Sequence, residues 1–314
     1  LPGDITLLGG TLALDSSDAF GSTGTITFSG GALQSSSLNT KDYSSQFNVA
    51  ANQQYKFDTN GQNIIIAGDL VSSNATLSKI GAGTLTLSGV NAFSPGILTH
   101  GSGTNNHGYI RLTNNNALGS YTAVDLPANN GGIGALQLDG GVVITGKKLT
   151  SAGRQNQTTT GYILRNISGD NVWNGDVVIN ATGGRYGFVS DADTLSFSNG
   201  ISTSLASSLS NREVEFTGGG DFSVAGVTGG GSLAGINITK SGQGVLSLTG
   251  PANSGGSLSV TGGKVIITET GSVPSGDILL PNGILEFDRD SATTFDSKFY
   301  ITGTGSEPTF LNNG

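Results

Sequence analysis

The segment Lys79-Ile80-Gly81-Ala82-Gly83-Thr84-Leu85-Thr86-Leu87-Ser88-Gly89 decides the fold of this chain. Its second half alternates threonine and leucine. This period of two predicts a β-strand with Leu85 and Leu87 on one face and Thr84 and Thr86 on the other. Glycines flank the strand on both sides, where a turn needs a positive φ or a close backbone approach. The predicted unit is therefore a short strand between glycine corners.

The same pattern returns at residues 240–250, in the second half of the chain. Lys79 matches Lys240, and the leucines of the two strands also match. A second repeat, strand–turn–strand, occupies residues 4–15 and returns near the other end of the chain at 277–288. Looser copies lie at 24–34 and 124–139. The chain thus repeats two short strands around a glycine or Asn–Gly corner.

Short strands with corners every few residues are compatible with a sandwich, a barrel or a β-solenoid. Sequence-similar repeats, recurring corners and few charges on either strand face favour the solenoid. We therefore predict an all-β fold, a parallel β-solenoid in the form of an elongated rod with uncapped ends. Coils of about 20 to 24 residues give about 13 to 15 coils, and a strand spacing near 4.8 Å gives a rod of about 60 to 70 Å.

The repeats predict one continuous solenoid over residues 1–314, with two similar halves (1–150 and 151–314) as an alternative description. Both ends stop within the repeating pattern, so the chain is expected to be a segment of a longer solenoid or a module that stacks head to tail. Three stretches depart from the pattern. Residues 98–116 are predicted as a side loop, 150–170 as an interruption, and 201–210 as one or two helical turns.

Composition excludes several classes of protein. The net charge is −8 without a basic cluster, which argues against nucleic acid and against an anionic membrane surface as partners. No apolar run approaches a membrane span of about 20 residues, so no membrane insertion of this segment is expected. The chain has no cysteine, which excludes disulfides and cysteine-ligated metals and fits a secreted chain that crosses an envelope unfolded.

Two pairs of carboxylates are candidates for chemistry, because some β-helix proteins cleave polysaccharides with acidic residues in a surface groove. They are Asp191 with Asp193, and Asp288 with Asp290, the latter with Arg289 expected to screen it. The same oxygens are candidate ligands for Ca²⁺, although the glycine-aspartate calcium-roll repeat is absent. Solvated loop carboxylates remain the favoured interpretation.

Other candidates also have a simpler structural interpretation. His100 and His107 lack the partners of a triad or a zinc site, and we predict two exposed loop histidines. The glycine triplets at 218–220 and 229–231 lack a following Gly-Lys-Ser/Thr, so they are predicted to be turns rather than phosphate loops.

Threonine and aromatic side chains are the remaining candidates. The threonines could form a flat face that binds ice or glycans, but threonine is also an ordinary β-former on an outward face, and we favour that interpretation. The aromatic rings could stack on sugars, but we favour packing under loops. The residues concerned are Thr25, Thr27, Thr84, Thr86, Tyr109, Tyr162, Trp173 and Tyr186.

Residues 79–91, with the pattern Lys-x-Gly-x-Gly-Thr-Leu-Thr-Leu-Ser-Gly-Val-Asn, resemble the autotransporter-associated β-strand repeat of bacterial passenger regions and other large secreted surface proteins. Residues 240–250 are a second copy, which departs from the first after Gly250. Residues 58–62 and 117–120 resemble sequences found between such repeats. The resemblance implies a right-handed parallel β-helix, export to the cell surface or medium, and a stalk, adhesion or matrix role without catalytic residues.

The expected function is thus a structural extracellular or bacterial surface module, not an enzyme, with no catalytic, cofactor-binding or metal-binding residues and no cofactor. Expected partners are other copies of the chain, through head-to-tail or lateral contact, neighbouring repeats of the same chain, or surface glycans. The alternative is a carbohydrate-active β-helix that degrades or binds polysaccharide. A groove lined by three or more acidic side chains on adjacent coils would favour that alternative.

Overall fold

The computed structural model describes residues 3–101, 106–127, 134–153, 162–180, 184–203, 212–229, 235–252, 255–290, 297–302 and 309–312. The chain divides into two compact units, Leu1–Val142 (unit 1) and Val143–Gly314 (unit 2). The described part of both units is built from short parallel strands, and its helical content is one 3₁₀ turn, Ser44–Gln46. The predicted all-β parallel solenoid is confirmed.

Unit 1 contains the first twelve strands. They are β1 (Ile5–Leu7), β2 (Thr11–Ala13), β3 (Ile26–Phe28), β4 (Ala32–Gln34), β5 (Gln54–Asp58), β6 (Ile64–Ile66), β7 (Thr76–Ile80), β8 (Thr84–Leu87), β9 (Ile97–Thr99), β10 (Gly108–Leu112), β11 (Ala123–Leu126) and β12 (Gly134–Asp139). Their parallel sheets have the orders β1-β3, β2-β4-β5-β7, β6-β8-β10-β12 and β9-β11. Each pair thus joins strands that lie about one coil apart, and apart from β4 and β5 the paired strands are not consecutive in sequence.

Unit 2 contains the other nineteen strands. They are β13 (Val143–Thr145), β14 (Lys148–Ser151), β15 (Tyr162–Ser168), β16 (Asn171–Asn174), β17 (Val177–Ile179), β18 (Arg185–Ser190), β19 (Thr194–Phe197), β20 (Ile201–Thr203), β21 (Arg212–Gly218), β22 (Asp221–Val224), β23 (Val227–Thr228), β24 (Ile236–Lys240), β25 (Val245–Leu248), β26 (Leu258–Val260), β27 (Lys264–Ile267), β28 (Ile278–Leu280), β29 (Ile284–Phe287), β30 (Phe299–Ile301) and β31 (Thr309–Asn312). The parallel orders are β15-β18-β21-β24-β26-β28-β30, β14-β17-β20-β23 and β13-β16-β19-β22-β25-β27-β29-β31.

Coil length varies more than the repeats predict. The coil from Leu258 to its ladder partner Ile278 is short, whereas the coil from Phe188 to its partner Phe216 is clearly longer. Because many coils are longer than predicted, the expected 13 to 15 coils were too many, and the chain makes about 11. Extra residues at a corner leave the strand register intact, since loop closure costs little per added residue.

The core consists of apolar side chains stacked from coil to coil. Leu85 and Leu87 of β8 are fully buried, and so are Leu246 and Leu248 of the second repeat copy. Burying one such side chain is worth about 1.5 to 3 kcal/mol. The leucine face of the repeat is therefore confirmed. The opposite face is less exposed than expected of an outward face, because Thr84 is also buried.

Two local predictions were wrong for the residues that the structure describes. Residues 98–116 are not a side loop, because Ile97–Thr99 and Gly108–Leu112 are strands of the coils, with Gly101 and Gly134 in close backbone contact. The predicted helical turn begins with the strand Ile201–Thr203, whereas residues 204–210 lie outside the described part of the chain. In the interruption at 150–170, residues 154–161 are likewise outside the described part, and Tyr162–Ser168 is a strand.

Candidate functional site

Corner carboxylates and amides hold the next coil. In each case a side-chain oxygen accepts the backbone N–H of a residue one coil further along, at 2.7 to 3.0 Å. The acceptor and donor pairs are Asp4–Thr25, Asp42–Ala67, Asn63–Thr84, Asp69–Val90, Asp170–Thr194, Asp221–Val245 and Asn237–Ser257. The main chain cannot continue its ladder where it turns, so these oxygens supply an acceptor there. The N–H of Thr84 also donates to the main-chain oxygen of Gln62, at 3.2 Å.

The candidate catalytic carboxylates Asp191 and Asp193 also accept hydrogen bonds from other parts of the chain. Asp191 accepts a hydrogen bond from Nε of Arg165 at 2.7 Å. Asp193 has a φ of 53°, and its Oδ2 accepts the N–H of Gly169 at 2.7 Å. These two carboxylates therefore bind different partners within the chain.

The second carboxylate pair lies beside Glu269. The Asp290 N–H donates to a carboxylate oxygen of Glu269 at 2.8 Å, and Arg289 donates to the main-chain oxygen of the same residue at 3.3 Å. Among the residues that the structure describes, no group of three acidic or histidine side chains could hold a metal ion.

The charged outer face of unit 2 is a network of ion pairs. Arg185 bridges two glutamates of the neighbouring coil, at 2.5 Å to Glu215 and 3.6 Å to Glu213. The hydroxyl of Ser241, one coil further on, donates to Glu215 at 2.8 Å. Both glutamates lie on one strand, β21, and arginine pairs with them, which is unlike a general acid in an apolar environment.

Lys79 is a strongly perturbed titratable group, and its role was not predicted. Its side chain is 4% exposed, and Nζ donates to the main-chain oxygens of Gly81 and His107, both at 2.6 Å, and to Oγ1 of Thr59 at 2.8 Å. These oxygens come from three successive turns of the chain. Burial lowers the pKa of Lys79 to about 7, and the nearby Asp58 acts in the opposite direction.

Lys240 reproduces this arrangement in the second repeat copy. It is fully buried, and Nζ donates to the main-chain oxygens of Ser241 at 2.6 Å and Gly242 at 3.2 Å. Burial lowers its pKa to about 8, partly offset by Asp221. The sequence did carry a signal for this role, because a lysine stands two residues before Gly-x-Gly in both copies of the repeat. It marks a corner whose carbonyl groups need an internal donor.

Such perturbed lysines suggest a reactive amine, but their surroundings here indicate a structural role. Both amines are buried and point at carbonyl oxygens. An ammonium donates three hydrogen bonds and accepts none, which fits the oxygen acceptors around these two amines. The lysines therefore fasten the corner rather than face a substrate.

A second unpredicted feature lies beside Lys79. The four-stranded sheet of unit 1 ends at β7, which leaves main-chain groups of that strand without a ladder partner on its outer side. The buried hydroxyl of Tyr121 accepts the N–H of Leu77 at 2.8 Å, 44 residues away in sequence. The ring of Tyr121 packs on Phe93 with 5.1 Å between centroids. The Tyr121 side chain thus caps this sheet edge at Leu77.

The histidine and aromatic candidates are mostly internal. The prediction of two exposed histidines is wrong for His100, which is 2% exposed and contacts the oxygen of Gly108 through Nε2 at 3.1 Å. Trp173 is fully buried within β16, and its Nε1 donates to the oxygen of Lys147 at 3.0 Å. Tyr162 and Tyr186 are buried and Tyr109 is half-buried, so most of these rings cannot reach a sugar.

The glycine and threonine candidates also have structural uses. Residues 218–220 form a corner, where a Cβ on Gly218 would lie 1.9 Å from the oxygen of Ser190. Of the second triplet, residues 230 and 231 lie outside the described part of the chain. The Thr27 hydroxyl accepts a hydrogen bond from Asn48 at 2.9 Å. The backbone of Thr25 is held by Asp4.

No protein-family model, curated protein or solved structure matches this chain. A search of the described residues for a helix long and apolar enough to cross a membrane found none. The interpretation of the site therefore depends on the contacts of this chain alone.

Proposed function

We propose that this chain is a structural module of a secreted or bacterial surface protein, whose stacked coils give a stalk or fibre its stiffness. The observation that supports the proposal is that the polar side chains bind groups of the chain itself. Corner carboxylates, buried lysines and the outer arginine–glutamate network all bind other parts of the same chain. A protein selected for rigidity is expected to use its polar groups in this way.

The extracellular setting is supported by two features of composition. The chain has no cysteine, and charged residues make up only 11% of it. The resemblance of residues 79–91 to the autotransporter-associated repeat points the same way. The partners that we propose are other copies of the chain, meeting head to tail or side by side, and surface glycans.

Rigidity and self-association can be tested on the purified chain. We expect the folded chain to resist a broad-specificity protease at concentrations that digest a variant with a disrupted core, such as Leu248→Asp. Sedimentation velocity and negative-stain microscopy at increasing protein concentration measure association, and we expect it to increase with concentration. A chain that is digested as fast as the Leu248→Asp variant would contradict the structural role.

Enzymatic activity is the competing function and needs its own measurement. We expect no release of reducing ends from a panel of bacterial and plant polysaccharides. Release that is lost in Asp191→Asn or Glu215→Gln, but retained in the exposed control Asp15→Asn, would overturn the proposal and favour a carbohydrate-active β-helix.

A further inference from the structure

The chain contains six Asn–Gly steps, and the structure distinguishes among them. Four lie in the described part of the chain, whereas the steps at 130–131 and 313–314 do not. The four described steps begin at Asn60, Asn174, Asn199 and Asn282. Asparagine followed by glycine is chemically labile, because glycine has no Cβ to shield its backbone nitrogen from the preceding side chain.

The reaction needs only water. The glycine nitrogen gives up its proton to solvent and attacks Cγ of asparagine, so that a C–N bond forms and the side-chain nitrogen leaves as ammonia. Water then opens the cyclic imide at either carbonyl, which yields aspartate or an isoaspartyl linkage. A glycine N–H that already donates a hydrogen bond must first break it, and an asparagine amide held by a partner must also be released.

Two of the steps are held at both reacting groups. The N–H of Gly61 donates to the oxygen of Ala82 at 2.8 Å, and Nδ2 of Asn60 is 3.4 Å from the oxygen of Ser35. At the step Asn199–Gly200, the N–H of Gly200 donates to the main-chain oxygen of Phe197 at 3.1 Å. The amide of Asn199 donates to Asp176 at 3.3 Å.

The step at Asn174 is held by the sheet. Asn174 is the last residue of β16, and its oxygen accepts the N–H of Gly146 at 2.8 Å. Gly175 is buried, and a Cβ there would lie 2.1 Å from the oxygen of Lys147. The strand pairing of Asn174 therefore limits the rotation that would bring its side chain to the nitrogen of Gly175.

At Asn282 these hydrogen bonds are missing among the described residues, although Gly283 is buried as Gly175 is. Asn282 is exposed, and no hydrogen bond connects its side chain or the N–H of Gly283 to the residues that the structure describes. The glycine is required by packing, since a Cβ on Gly283 would lie 2.3 Å from Cγ1 of Val260. We propose that Asn282–Gly283 is a modification site, at which the folded chain deamidates to aspartate and isoaspartate in the corner between β28 and β29.

The modification would alter the terminal coils of unit 2. It adds a carboxylate to the corner, and the isoaspartyl form also lengthens the backbone by one atom before Ile284, whose N–H donates to the oxygen of Gly263 at 3.0 Å. We therefore expect the isoaspartyl product to weaken the pairing of β27 with β29.

Peptide mapping of the full chain tests the proposal. The folded protein is incubated at mildly alkaline pH, and each Asn–Gly peptide is assayed by mass spectrometry for amide-to-carboxyl conversion and for isoaspartate. A parallel sample in urea gives the unfolded rates. We expect Asn282 to react at nearly its unfolded rate, and Asn60 and Asn199 to be slowed about tenfold, the factor that one ordinary hydrogen bond imposes.

Two variants complete the test. Asn282→Gln should remove the fastest conversion and leave the other steps unchanged. Asn282→Asp supplies the charge from the outset and should reproduce the shift in isoelectric point. Equal protection of all four steps in the folded chain, or faster reaction at Asn60, Asn174 or Asn199 than at Asn282, would overturn the assignment.

Discussion

The hydroxyl of Tyr121 accepts the backbone N–H of Leu77 at 2.8 Å, across 44 residues of sequence. Leu77 lies in β7, the last strand of its sheet, so the phenol replaces the carbonyl of a missing neighbour. Lys79, two residues further along the same strand, donates to the oxygen of His107. Tyr121 thus closes the sheet edge at Leu77, and Lys79 supplies a donor to a carbonyl oxygen of another coil.

Removing the phenol hydroxyl should therefore destabilise unit 1. We expect Tyr121→Phe to lower the free energy of unfolding by about 1 to 3 kcal/mol, because the Leu77 N–H stays buried without an acceptor. Urea denaturation measures the loss, and hydrogen exchange should show faster exchange at the Leu77 amide. The exposed Tyr300 provides the control, since Tyr300→Phe should change stability by less than about 0.5 kcal/mol. Equal effects of the two variants would contradict the capping role.

The buried ammonium of Lys79 predicts a pH dependence with a definite sign. Its pKa is about 7 in the folded chain, against 10.5 for an ordinary lysine, so between these values the unfolded chain binds a proton that the folded chain has lost. Stability must then rise with pH across this window, by a total on the order of a few kcal/mol.

The measurement compares the parent with Lys79→Met. Their difference in free energy of unfolding should shift in favour of the parent from pH 7 to pH 10, because methionine does not titrate. Lys148→Met, at an exposed lysine, provides the control for the loss of a lysine side chain. A flat difference for Lys79 would show that its amine is not desolvated.

Corner carboxylates should act as acceptors rather than as charges. Asp69 accepts the N–H of Val90 at 2.7 Å. We expect Asp69→Asn to retain most of the stability, since an amide oxygen also accepts, whereas Asp69→Ala should cost about 0.5 to 1.5 kcal/mol. Thermal or urea unfolding distinguishes the two. A loss in Asp69→Asn as large as in Asp69→Ala would instead favour an electrostatic role.

The leucine ladder should carry much of the stability of unit 2. Leu248 is fully buried, so Leu248→Ala should cost about 2 to 5 kcal/mol, from lost transfer free energy and the cavity left behind. Ile65 of unit 1 is 52% exposed although it lies in a strand, and Ile65→Ala should cost less than about 1 kcal/mol. Similar losses at both positions, measured by urea unfolding, would argue against the assignment of inner and outer faces.

Patterns within a few residues were sufficient to predict the strands and their inner faces. Leu85, Leu87 and their counterparts Leu246 and Leu248 are all buried, as the alternation of the two repeats predicts. The burial of Thr84 was missed because its environment depends on Tyr109, which pairs with it from the next coil. The internal position of His100 was missed for a similar reason, since its contact is with Gly108 of another strand.

By itself, the sequence determined the class of fold, because the two-residue period and the glycine corners act through neighbouring residues. It also determined the repetition, and hence a stack of parallel strands instead of a sandwich. Only the tertiary structure decided the length of each coil, the ion partner of Asp191, and the roles of Lys79 and Tyr121. These depend on atoms that are 20 to 44 residues apart in the chain and meet only once the coils have stacked.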